Sequence, residues 1–153
     1  MTLRTDVSVL FVDPRGPYPK LVADFWDEKR DARRYPGLNP VVAHPPCERW
    51  GRYWGGGPML VGTPKQKMLG NDGGCFASAV DSVRTFGGVL EHPEGSHAFA
   101  AHGLPRPRWR EGWVGSEHDG WICCVAQGNY GHRARKLTWL YCVGPRPPEL
   151  DCH

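Results

Sequence analysis

Val41-Val42-Ala43 runs apolar and then meets Pro45-Pro46, and this stop constrains the fold more than any other feature of the chain. A short apolar run of this kind forms a buried strand, whereas prolines supply no N–H to a ladder and keep the backbone extended. The strand must end near His44, and the first side chain past the prolines is Cys47. Similar punctuation recurs: Val7–Val12 is closed by Asp13-Pro14, and Val89-Leu90-Glu91-His92 by Pro93. In an open α/β sheet, ligands bind in the crevice beyond the carboxyl ends of the strands. A thiol held there on a rigid turn is placed to act as a nucleophile. On the fragment alone, Cys47 reads equally well as an inert packing residue.

The chain has 153 residues, 40% hydrophobic and 23% charged, which fits one globular α/β domain spanning 1–153, with a core over about 7–143 and a tail at 144–153. No apolar run reaches bilayer length, so no membrane partner is expected. The opening Met1-Thr2-Leu3-Arg4 does not read as a signal peptide, and a cytoplasmic product is expected. The six cysteines are irregularly spaced, two are adjacent, and none forms a Cys-x-x-Cys pair. Reduced thiols are therefore expected rather than a disulfide framework or a metal site.

The net charge of +3 is mild, but its distribution is uneven. Arg106, Arg108 and Arg110 alternate with Pro107 and Trp109, and His132, Arg133, Arg135 and Lys136 form a second cluster. Cations mixed with aromatics can hold a phosphate backbone and stack bases. Each cluster alone reads equally as a solvated loop face.

Further along, Lys20–Arg34 carries Leu21, Phe25 and Trp26 on a polar background and is expected to form a short surface helix. The aromatic, glycine-rich stretch Glu48–Pro58 suggests a lid over the Cys47 site. Phe76, Ala79, Val80 and Val83 have helical spacing behind a cap at Asn71 or Asp72, and Gly87-Gly88 ends that helix. Residues 97–120 show no sustained period and read as a long loop. Trp121–Ala126 and Leu137–Val143 read as the last two strands.

A strand ending in Pro-Pro-Cys, a helix, a strand ending in Leu-Glu-His-Pro, and a Gln with a downstream Arg-x-Arg-Lys before a final strand resemble the catalytic part of the DNA cytosine-5 methyltransferases and small phage proteins related to them. The likeness covers roughly residues 41–143. It implies a reduced Rossmann-like, methyltransferase-like sheet with flanking helices. It implies Cys47 as the nucleophile and Glu91 as the glutamate that contacts the base, with His92 where the family has Asn. Gln127, Arg133 and Arg135 match the family's Gln-x-Arg-x-Arg motif. Expected substrate contacts beside these are His44, Pro46 and Arg49 on the first strand exit, and His92, His132 and Lys136 further on.

The chemistry requires these residue types together. Carbon 5 of a pyrimidine is a poor nucleophile. Addition of a thiolate to carbon 6 turns the ring into an enamine-like species that attacks from carbon 5. A carboxyl group at ring nitrogen 3 and an arginine at the carbonyl stabilise the developing charge, and a target inside a duplex must first be extruded.

The resemblance implies S-adenosylmethionine as donor, yet the family's Phe-x-Gly-x-Gly loop is absent. Phe11–Gly16 stands in its place, with Asp13 as the candidate cofactor contact. Another donor, a partner protein that completes the donor site, donor-free deamination, a nucleotide-level substrate and a non-catalytic DNA-binding protein remain alternatives at this point. In a phage-encoded product the location would be the host cytoplasm.

Overall fold

In the computed structural model, which describes residues 2–116 and 118–153, seven strands form one mixed sheet. They are β1 (Arg4–Leu10), β2 (Val22–Trp26), β3 (Val41–Ala43), β4 (Gly88–Pro93), β5 (Val114–Ser116), β6 (Gly120–Ala126) and β7 (Leu137–Val143). Their spatial order is β2-β1-β3-β4-β7-β6-β5. The first four run parallel, and β7, β6 and β5 each pair antiparallel with the preceding neighbour. Two helices accompany the sheet, α1 (Cys75–Phe86) and α2 (His97–Ala101).

The strands expected around residues 7–12, 41–43, 89–93, 121–126 and 137–143 all form. β1 stops at Leu10 because Phe11 turns out of the ladder with φ 61°. The surface helix expected over Lys20–Arg34 does not form. Val22–Trp26 is instead strand β2, between 3-10 turns at Tyr18–Lys20 and Ala32–Arg34. A helix that short is unstable alone, whereas pairing with β1 buries Val22 beside Val9 and Val12 on one face and Trp26 on the other.

The flanking helices are also fewer than expected. The β1–β2 and β2–β3 connections carry five prolines (Pro14, Pro17, Pro19, Pro36 and Pro40), and proline removes the N–H that a helix interior needs. The stretch read as loop over 97–120 contains α2, whose Ser96 hydroxyl accepts from the Ala98 N–H, and the edge strand β5. The tail over 144–153 is likewise part of the fold. Cys152 is buried with Cys123, Trp113 and Val125 on the outer face of β6.

α1 covers the other face. The Asp72 carboxylate accepts from the Phe76 N–H and from Trp50 Nε1, which joins the helix start to the loop after Cys47. Phe76, Ala79, Val80 and Val83 then pack over Ala43 and Leu90. Gly88 begins β4 with φ 123°, and a Cβ there would run into the Val41 backbone, so only glycine lets β3 and β4 pair at this point. Phe76 is fully buried against Trp50, His92, Phe99 and His102. Phe76→Ala is expected to cost about 3–5 kcal/mol in urea unfolding. A loss below about 1 kcal/mol would mean that this cluster does not organise the core. No helix among the described residues is long and apolar enough to cross a membrane.

Candidate active site

β3 and β4 are parallel neighbours with Ala43 opposite Leu90, so their exits open at one end of the sheet. β7 is antiparallel to β4, and its start and the end of β6 lie at the same end. The sheet itself thus gathers four chain segments that are far apart in sequence. His44 follows β3, Glu91 lies near the end of β4, Gln127 follows β6, and Thr138 is the second residue of β7.

Glu91 is the hub. Its Oε2 lies 3.1 Å from His44 Nδ1, and its Oε1 accepts from Gln127 Nε2 at 3.3 Å. Gln127 Nε2 also donates to Thr138 Oγ1 at 2.7 Å, and Tyr18 Oη lies 2.7 Å from His44 Nε2. Burial pushes the Glu91 carboxyl up. The hydrogen bond from His44 and the charge of Lys136 outweigh it and hold the group below the usual carboxylate range. Glu91 is therefore an anion at neutral pH, and His44 Nδ1–H donates to it. Burial and the nearby Glu91 charge raise Tyr18, so its phenol keeps its proton and can donate to His44 Nε2. The result is a hydrogen-bonded chain from Tyr18 through His44 to Glu91.

The cysteine is held by its backbone. The Pro46 carbonyl lies 3.3 Å from His92 Nε2, and the Cys47 carbonyl accepts from the Trp50 and Gly51 N–H groups. The Cys47 thiol is exposed and makes no side-chain hydrogen bond among the described residues. His92 is fully buried and Ser96 Oγ lies 2.6 Å from its Nδ1. It stands behind the Pro-Pro-Cys turn rather than at a substrate surface, which corrects the expected substrate contact. Sequence position alone could not show this, because the burial comes from Phe76 and from Ser96 at the start of α2.

Burial pushes the His92 imidazole down, ahead of the opposing pull of the Pro46 carbonyl and the Glu91 charge, so it stays neutral and its Nε2–H donates to Pro46. The unfolded chain takes up this proton first, near pH 6.5. Stability supplied by neutral His92 is thus complete at higher pH and is lost as pH falls below about 6.5. Urea unfolding at about pH 7 and about pH 5.5 is expected to show a drop that is smaller in His92→Gln. Equal drops in both proteins would remove His92 as the cause.

The remaining expected contacts divide. Arg49 is spent on the loop after Cys47, where its Nη1 donates to the Trp54 carbonyl. The His132 ring folds back on Ala134. Pro46, Arg133 and Lys136 are exposed, and the Arg135 guanidinium lies 5.0 Å from the Trp109 ring centroid. Asp13 pairs with Arg15 on the rim of a crevice of about 1180 Å³ at the exits of β1, β2 and β3, which His44 and Pro46 also line. Asp27, Glu28 and Asp31 add acidic groups to it, and Lys29 and Arg33 basic ones.

Tyr18 and Thr138 join the cluster without any local signal in the chain that selects them. Tyr18 sits among prolines without any period, and Thr138 lies inside a strand. Among the described residues, no group of three or more His, Cys, Asp or Glu side chains is arranged to hold a metal ion. No protein-family model matches the chain, and no curated protein or solved structure matches it.

Proposed function

We propose that this protein modifies a pyrimidine base in DNA, with cytosine the favoured target, through addition of the Cys47 thiolate to ring carbon 6. The observation that carries the reading is the hydrogen bonding of Glu91 to both His44 and Gln127. The three residues lie far apart in the chain, His44 next to Pro45-Pro46-Cys47, Glu91 near the end of β4 and Gln127 after β6, and these two bonds link them.

The sheet supports the reading too. The order β2-β1-β3-β4 reverses direction between β1 and β3. Such a reversal is the ligand-binding point of a doubly wound, Rossmann-like sheet, and the large crevice opens there. Its volume and acidic rim suit a cationic donor of the S-adenosylmethionine class, with Asp27 and Glu28 at the exit of β2 placed to accept from sugar hydroxyls. The loop after β1 provides no glycine cradle, and Asp13 and Arg15 are engaged with each other. A donor bound there would supply a methyl group for ring carbon 5.

The chain's own residues perform the activation. As the Cys47 sulfur–carbon 6 bond forms, the carbon 5–carbon 6 π electrons shift toward carbon 5 and the ring system. Negative charge develops at nitrogen 3 and the carbonyl oxygen. Glu91 accepts from the exocyclic amino group, and the adjoining His44 imidazole is the source of the proton that reaches nitrogen 3. The carbon 5 electrons then form the bond to the electrophile, whose leaving group departs with its bonding pair, and loss of the carbon 5 proton to water, return of the nitrogen 3 proton to His44 and release of the thiolate restore the aromatic ring.

The test is intact-mass measurement after incubation with an oligonucleotide that carries 5-fluorocytosine. Fluorine at carbon 5 cannot leave as a proton, so an adduct that has reacted there stays attached. A covalent species that needs S-adenosylmethionine supports methyl transfer. One that forms without it supports thiol addition with another donor or donor-free chemistry. Absence of any adduct overturns the enzymatic reading and leaves a DNA-binding protein.

A further inference from the structure

A second cavity, of about 440 Å³, lies on the α1 side of the sheet, apart from the Glu91 cluster. Its walls include Trp109, Trp139, Arg106 and Glu94. The Arg106–Arg110 loop is fixed there, because Trp109 forms an isolated parallel bridge with Cys124 of β6. The Arg106 guanidinium lies 5.7 Å from the Trp139 ring centroid, and Arg135 reaches Trp109 from the other basic cluster. The two clusters that looked separate in sequence therefore meet across one indole.

The charge state of this wall identifies the kind of ligand it fits. Arg4, Arg15, Arg30, Arg33 and Arg146 are each neutralised by a carboxylate. Arg108 lies 3.8 Å from Glu111, whereas Arg106 and Arg135 have no carboxylate partner among the described residues. Stacked guanidiniums with free donors suit phosphate, and indoles beside them suit the face of a base. The volume falls in the range of about 300–1,000 Å³ that holds small ligands. Glu94 closes the cavity at the same end of β4 as Glu91 and forms no ion pair among the described residues. A carboxylate accepts hydrogen bonds, and guanine alone among the DNA bases offers it a ring N–H and an amino group side by side.

We propose that this cavity is a second nucleotide subsite, which takes an unpaired guanine next to the target base with its phosphates on Arg106 and Arg135. The inference rests on the proposed function for its polymer, DNA, but not for the chemistry at Cys47. It adds a sequence-context preference, set by Glu94, to a base-modifying site.

Fluorescence anisotropy with labelled single-stranded hexanucleotides tests this, using one cytosine flanked on either side by dG, dA, dC or dT. Wild-type protein is expected to bind the dG-flanked strand most tightly. Trp109→Ala is expected to weaken every strand roughly 5- to 100-fold, and Trp109→Phe to restore most of that loss. Glu94→Gln, an exposed change that leaves the fold in place even where Trp109→Ala does not fold, is expected to remove the guanine preference while leaving the dT-flanked strand unchanged.

Equal binding by Trp109→Ala and wild type, a guanine preference that survives in Glu94→Gln, or no binding by the wild type would overturn the subsite. Adduct formation with 5-fluorocytosine is measured in parallel. Its absence beside an intact guanine preference overturns the chemistry at Cys47 and leaves the subsite standing.

Discussion

Cys47→Ser is expected to abolish covalent capture of the 5-fluorocytosine oligonucleotide while strand binding stays within about twofold of wild type. The size of the first effect follows from the nucleophile: a thiol reaches its anion near neutral pH, whereas a serine hydroxyl needs an adjacent base to do so. No such base touches this position, because the Cys47 side chain makes no hydrogen bond among the described residues. The small size of the second effect has the same origin. The turn is held by its carbonyls, through His92 on Pro46 and the Trp50 and Gly51 N–H groups on Cys47. Exchange of sulfur for oxygen leaves those bonds in place, and an exposed substitution of this kind changes stability by no more than about 0.5 kcal/mol. Intact mass and anisotropy on the same samples separate chemistry from binding. Capture that persists in Cys47→Ser would move the nucleophile to Cys75, the half-buried thiol that lines the crevice at the exits of β1, β2 and β3, and would end the role assigned to the Pro-Pro-Cys turn.

The parts of this fold that were legible in the sequence are those that proline and glycine punctuate. Pro45-Pro46 and Pro93 end β3 and β4 where the local residues alone say they must, and Gly87-Gly88 separates α1 from β4. The adjacency of β3 and β4 follows from the helix between them, and with it the shared exit of Cys47 and Glu91. What stayed hidden depends on long-range pairing. Val22–Trp26 has no strand signature of its own and becomes β2 only because β1 offers it a ladder. The tail from Gly144 onward reads as a polar, proline-rich end, yet Cys152 finds Cys123 and Trp113 across the sheet. His92 looked like a second polar group at the strand exit. Its alternation with Glu91 along β4 sends it to the α1 side, under Phe76, while Glu91 faces the other side. The period of two along a strand was enough to separate the pair, but the burial of one face depended on α1 and α2, which the local sequence does not place.

Glu91→Gln is expected to slow adduct formation by about 10²–10⁴-fold with the fold retained. Two independent losses combine. The carboxylate accepts from His44 Nδ1–H and from Gln127 at its two oxygens, and an amide has only one acceptor, so one of these donors loses its partner. The substitution also removes the negative charge that accepts from the His44 Nδ1–H and steadies the imidazole when it exchanges a proton with the ring, and general acid–base contributions of this kind are worth about 10²–10⁴-fold.

The pH profile distinguishes charge from geometry. Glu91 lies below the usual carboxylate range, so in the wild type its own contribution to adduct formation should be lost only as the pH drops below that range and this carboxylate takes up a proton. A limb due to Glu91 should be absent from Glu91→Gln at every pH, because the amide does not titrate. Stopped-time intact-mass measurements across pH would show both effects. A loss smaller than about tenfold, with the acid limb unchanged, would reduce Glu91 to a spacer between His44 and Gln127 and return the proton transfer to His44 and Tyr18 alone.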